Sequence, residues 1–131
     1  MLTGQDAAGF LRHVPPALLL GTVVAHEDAR LVCASRDAGP FGWAQLLEGA
    51  AQAAGLLAGV LGGPGAAALI AEYRDVDARV ATHAGPVSFD AALERRVLRF
   101  WRCRVRVTDA SDAVLLTARV TLAPPRPDGP V

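Results

Sequence analysis

The run WAQLLEGAAQAAGLLAGVLGG, from Trp43 to Gly63, carries one charged side chain, Glu48. Its Ala and Leu content and its freedom from proline predict a long helix, which GGPG at 62–65 ends. A helix apolar nearly all round needs cover on most sides, and that requirement restricts the folds open to the chain. Trp43 to Leu61 is nineteen residues, long enough to cross a bilayer. A mid-span carboxylate costs about 2.5 kcal/mol or more in that setting, and Ala and Gly recur where lipid-facing Leu is expected. The helix is therefore read as the core of a folded domain, with no membrane partner.

The flanking sequence supplies the cover. ALLLGTVVAH (17–26) and ARLVCASR (29–36) read as two strands joined by the polar turn HEDA, hence a hairpin. DAGPFG (37–42) is a loop leading into the helix. AAALIAEYRDVDARVAT (66–82) reads as a long strand bent near Asp75 to Asp77, and HAGP (83–86) as a turn. VSFDAALERRVL (87–98) has helix-forming Ala, Leu, Glu and Arg, but it follows a turn and runs into the strict alternation of RFWRCRVRV, which assigns it to a strand. In that alternation Arg102, Arg104 and Arg106 take one face and Trp101, Cys103, Val105 and Val107 the other. TDASDA (108–113) is a turn and VLLTARVTLA (114–123) the last strand; PPRPDGPV (124–131) has the composition of a loose tail. A short amphipathic helix is expected over 5–12. The order, without a βαβ rhythm, predicts an α+β domain over 1–123: one long helix wrapped by a curved, mainly antiparallel sheet of about six strands.

The chain has 131 residues, enough for one domain with its own core. Thirteen basic residues, all Arg, balance thirteen acidic ones. No global field then draws the protein to nucleic acid or to an anionic membrane. Cys33 and Cys103 stand far apart in alternating apolar stretches with no metal-type spacing. They read as buried free thiols of a reducing, cytoplasmic setting, and no metal or cofactor is expected. The opening MLTGQDAAGFLRHVPPALLL lacks the basic start and continuous apolar core of a secretory signal.

On a helical wheel Gln45, Glu48, Gln52, Gly55 and Gly59 form one stripe of about 80°. Trp43, Leu46, Ala50, Ala54, Leu57 and Leu61 lie opposite, as core. Glycines on the polar stripe let another backbone or a slender ligand approach. Glu48 either points to water or pairs with an Arg at a subunit contact, or it sits in an apolar crevice as an acid or base. In the second case the helix start, Gly39 to Trp43, offers backbone N–H groups to a carbonyl oxygen. Phe41 and Trp43 either line an acyl or aryl pocket or staple the helix start. The arginines of 95–106 either face solvent or meet an acidic carrier surface or a pantetheine phosphate.

LLEGAAQAAGLLAG (46–59) resembles the central helix of hotdog-fold 3-hydroxyacyl acyl-carrier-protein dehydratases, where a Glu or Asp precedes Gln by four residues in an E-A-x-A-Q-A-A pattern. Glu48 and Gln52 match it. RHVPPALLLGTVV (12–24) is similar to the family's P-H-R-x-P-F-L-L-V-D-R-V opening, with His13 at its first, non-catalytic His, and EYRDVDARVATHAGPVSF (72–89) stands where the family has strand, proline turn and strand. The resemblance covers residues 8–123. It implies a homodimer with an acyl-pantetheine tunnel between subunits, a thioester of acyl carrier protein or coenzyme A as ligand, and Glu48 as the proton donor to a β-hydroxyl. It also implies backbone N–H groups, one at the helix start, that hold the thioester oxygen; with the residue reading above, Gly42, Trp43, Gln52 and Phe41 are the candidate substrate-binding residues.

One departure falls at the decisive place. The family carries its catalytic His in an H-F-P-G-x-P-x-x-P-G segment about fourteen residues before the carboxylate, whereas SRDAGPFGWAQLL (35–47) has no His. Of the others, His13 matches a structural position, His26 falls at a hairpin tip, and His83, at the turn before VSF, is the candidate substitute. Three functions follow: a dehydratase-like enzyme of fatty-acid or polyketide-type metabolism, a hotdog thioesterase using Glu48, or a non-catalytic acyl-binding subunit whose His-containing partner completes a heterodimer.

Overall fold

The computed structural model describes residues 3–6, 18–62 and 69–123, with residues 69–71 described by backbone alone. The helix expected over 5–12 lies mostly outside these residues, and His13 and the tail 124–131 lie wholly outside them. The elements are β1 (Leu20–Glu27), β2 (Arg30–Ser35), β3 (Phe41–Gly42), α1 (Trp43–Gly62), β4 (Leu69–Ala78), β5 (Thr82–His83), β6 (Val87–Val97), β7 (Phe100–Asp109) and β8 (Val114–Ala123). Six strands form one antiparallel sheet in the order β1-β2-β6-β7-β8-β4, and β3 and β5 form a separate two-stranded ribbon. The expected α+β arrangement is the observed one.

Alternation decides the segment whose composition favoured a helix. β6 buries Val87, Phe89 and Ala91 and pairs with both β2 and β7, so its period-2 pattern overrides helix propensity. In β7, Trp101, Cys103, Val105 and Val107 are buried while Arg104 and Arg106 are exposed. The predicted bend in β4 is a register shift between Arg74 and Asp77, with Asp75 at φ 50°. That is a bulge, which twists a strand locally. One boundary moves: His26 is inside β1, opposite Leu31, and the turn is Asp28–Ala29.

α1 is long and apolar enough to cross a membrane, yet 56% of that window is buried within the domain. It packs across β6, β7 and β8 and also touches β1, β2, β3 and β4. Leu46, Ala50, Ala53, Ala54 and Leu57 are fully buried. The close seat depends on Gly49: a Cβ there would fall 2.4 Å from two ring atoms of Phe89, itself fully buried. The remaining contacts are Ala and Leu, and such small side chains let the helix lie low on the sheet.

Because the Phe89 ring is fully buried and lies within 2.4 Å of where the new Cβ would be, Gly49→Ala overpacks the core. The expected loss is about 1–3 kcal/mol, read as a lower urea midpoint with an unchanged m-value. An unchanged midpoint would mean that the helix does not sit on Phe89.

Candidate functional site

Residues of the predicted polar stripe serve different ends. Gln45, the third residue of α1, accepts the Gly42 N–H through its Oε1 at 2.9 Å. That is half of a capping box, in which the third helical residue reaches back to the N-cap amide. Gln52 is only 3% exposed. Its Oε1 accepts the Leu19 N–H at 2.8 Å, and its Nε2 faces Glu48 Oε1 at 3.4 Å. The Gln52 side chain thus ties the helix to the chain entering β1 while directing an amide donor at the carboxylate one turn earlier. Glu48 is half-buried. A Cβ on Gly55, one turn beyond Gln52, would meet nothing within 4 Å.

The helix start differs from the expectation of free amides. The Gly42 N–H is held by Gln45, and the Trp43 N–H donates to Ala81 O at 3.0 Å. Both are therefore engaged by the chain itself. A Cβ on Gly42 would meet nothing within 4 Å, so the backbone there is open to approach. Phe41 is buried in the core, while Trp43, expected on the core face, is 48% exposed. Gly39 holds φ 79°, and a Cβ there would lie 2.8 Å from Phe41, so only glycine fits the turn that delivers Phe41 to the core.

His83 belongs to β5 and stands opposite Phe41 in the ribbon that precedes the helix. It is half-buried. β5 thus places this histidine beside the N-terminal end of α1, whereas His26 is at the far end of β1.

Tyr73 is a neighbour of Glu48 that the sequence reading did not single out. It lies on β4, 38% exposed. Burial is the main cause holding its phenol above the ordinary value of 10.0, and the Glu48 charge adds to it. Its mark in the sequence is that it is the chain's one tyrosine, inside the YRDVD segment. Cys33 and Cys103 are buried, and desolvation pushes both thiols up to about 12. A thiol so held is protonated and unreactive near neutral pH. Among the described residues no three His, Cys, Asp or Glu side chains are grouped to hold a metal ion.

No protein-family model matches the chain, and no curated protein matches it in sequence. Solved structures do match. The dehydratase heterocomplex ApeI:P from Xenorhabdus doucetiae shares 20% identity with a TM-score of 0.78, over 93% of this chain and 92% of that one. A Streptococcus mutans protein bound to acetyl-CoA shares 13% with a TM-score of 0.70, over 88% and 95%. A thioesterase from Haemophilus influenzae shares 13% with a TM-score of 0.66, over 78% and 76%. The chain has the hotdog fold, a long helix against an antiparallel six-stranded sheet, which it shares with proteins described as dehydratases and as thioesterases.

With one tyrosine in the chain, phenolate absorbance on alkaline titration reports Tyr73 alone. Its midpoint is expected above 10.0. Since the folded phenol holds its proton more tightly than the unfolded one, its contribution to stability is present below the unfolded value and lost as pH rises through the folded one. Glu48→Gln should lower the midpoint while leaving it above the ordinary value, because burial persists. A midpoint unmoved by the substitution would separate the two side chains.

Proposed function

We propose that this protein is a dehydratase-like hotdog protein acting on 3-hydroxyacyl thioesters of acyl carrier protein or coenzyme A, with Glu48 as its acid–base group. The observation that carries the reading is the Glu48–Gln52 pair, an amide aimed at a carboxylate on the central helix, next to open backbone at Gly42 and Gly55. Elimination of water from a 3-hydroxyacyl thioester requires removal of the α-proton and protonation of the leaving β-hydroxyl. The Glu48 carboxyl serves the second step, and Gln52 Nε2 fixes which way the carboxyl faces. The first-turn N–H groups beyond Trp43 are the donors available to the thioester oxygen as it gains charge. Trp43, half-exposed at the helix start, is assigned to the wall of the acyl site, and Phe41, buried in the core, to the packing behind it.

The α-proton needs a base. His83 is the candidate within the chain; the alternative is a His from a second subunit. Support for a second subunit comes from β4, an outer strand of the sheet whose residues from Glu72 to Ala78 are all exposed, Tyr73 and Val76 among them. The backbone groups along an edge strand invite pairing with another chain, and on β4 the exposed Tyr73 and Val76 stand among charged residues. A partner along β4 would cover Tyr73 and complete the site. The ApeI:P structure, described as a dehydratase heterocomplex, makes a different partner chain as natural as a second copy. The protein is proposed to work in the cytoplasm.

A thioesterase reading is favoured by one observation, the absence of His from residues 35–47. Hydrolysis needs only a carboxylate to activate water or to attack the carbonyl, and Glu48 alone meets that need.

Incubation with 3-hydroxyacyl and enoyl thioesters, followed by enoyl absorbance and free thiol together, tests these readings. Enoyl formation is expected, falling at least about 100-fold in Glu48→Gln as a general acid is lost. Thiol release without enoyl would replace dehydration by hydrolysis, and neither signal, even with a His-containing partner supplied, would remove catalysis. Sedimentation is expected to give a dimer that Val76→Glu dissociates.

A further inference from the structure

The face of the sheet turned away from α1 carries arginine in register across strands. Arg104 on β7 stands opposite Arg119 on β8, which stands opposite Arg74 on β4. In the next row Arg95 on β6 stands opposite Arg102 on β7, and Arg102 opposite Thr121 on β8. Like charges directly opposite destabilise a sheet, so this arrangement calls for counter-charge. The protein supplies part of it. Two bulges, one at Glu94 in β6 and one at Asp75 in β4, bring both carboxylates onto Arg119, at 2.9 Å and 2.6 Å. Arg74 pairs with Glu72 at 3.3 Å.

Arg95 and Arg102 receive none. Neither forms a salt bridge among the described residues. Both line an open depression of about 350 Å3 together with Arg74, Asp75, Glu94 and Arg119. Arg102 Nε is buried without a hydrogen-bond partner, and so is Thr121 Oγ1, which does not itself line the depression but stands opposite Arg102 on the neighbouring strand. Orphaned buried donors are uncommon and costly. Cross-strand neighbours have Cβ atoms about 4.5–5.5 Å apart, so the side chains of Arg95, Arg102 and Thr121 start from adjacent positions in one row. That spacing suits a tetrahedral oxyanion, and the planar fork of Arg matches phosphate with two parallel bonds.

We propose that the row Arg95, Arg102 and Thr121 on the outer sheet face is a binding site for a phosphate group. The phosphate supplies acceptors to Arg102 Nε and Thr121 Oγ1 and charge to the two unpaired arginines, while Arg119, clamped by Glu94 and Asp75, forms the wall. Of the arginines around the depression Arg74 and Arg95 are exposed and Arg102 and Arg119 half-buried; the proposed route to the covered atoms is rotation of these side chains. The site lies on the opposite face of the sheet from Glu48 and does not depend on thioester chemistry. The group can arrive as free phosphate or as part of a larger phosphate-bearing molecule such as coenzyme A.

The test is a titration of the full chain with inorganic phosphate, and separately with coenzyme A, at constant ionic strength, following arginine Nε–H resonances. A saturable shift of the Arg102 Nε–H signal is expected, with the signal of Arg36, whose Nε is held by Leu20 O beyond the far end of β2, as the control. Arg102→Lys, which keeps the charge and loses the fork, should bind about tenfold more weakly, the factor that ~1.4 kcal/mol represents. Glu48→Gln should bind as the parent does, which separates this site from the proposed catalytic one. Saturation by inorganic phosphate alone assigns the site to the free ion; saturation by coenzyme A at lower concentration assigns it to the larger molecule. An Arg102 signal that fails to saturate with either, or Arg102→Lys binding as tightly as the parent, would overturn the proposal.

Discussion

The seat of α1 on the sheet is the contact on which the rest of the structure depends. A twenty-residue helix with a single charge cannot remain in water, and its small side chains provide little bulk to fill space. Close approach compensates. Gly49 receives the Phe89 ring, and Ala50, Ala53 and Ala54 lie directly on the strands. At about 25 cal/mol per Å2 of apolar surface buried, each small side chain contributes little, so the helix has to lie close for its Ala and Leu side chains to fill the interface. The sheet covers one side of the helix well and leaves Glu48 and Gly55 less covered.

That asymmetry converts a packing solution into a site. Gln52 is almost wholly buried because it has work on two sides: it completes the hydrogen bonding of Leu19 and faces Glu48. Removing one partner of a buried pair leaves a desolvated polar group behind, so the amide is fixed by structure as much as by any chemistry. The carboxylate is held on the margin between core and open space. β4 brings Tyr73 toward the same charge, while its exposed length marks where the domain lacks cover.

Much of this was legible in the sequence, for reasons that can be traced. The helix and the six long strands were readable because periodicity persists over eight or more residues in most of them, and it settled β6 against its own composition. The ribbon of β3 and β5 was not, since two residues a side carry no period. The wheel grouped Gln45, Glu48 and Gln52 by angle, but angle alone does not distinguish a cap, a half-buried acid and a buried tie. The amides of Gly42 and Trp43 were expected to be free because their partners, Gln45 Oε1 and Ala81 O, come from a side-chain rotamer and a distant turn. Tyr73 went unnoticed because only the sheet order, with β4 beside β8, brings it near the helix.

The proposal is that the uncovered side of α1 around Glu48 receives an acyl thioester. It is tested most directly by titrating the protein with a non-hydrolysable thioether analogue of acyl-pantetheine while following the side-chain resonances of Glu48, Gln52 and Trp43. Saturable shifts are expected at Glu48 and Gln52, with Trp43 following. Saturable binding that leaves these two residues unmoved and shifts others would contradict it.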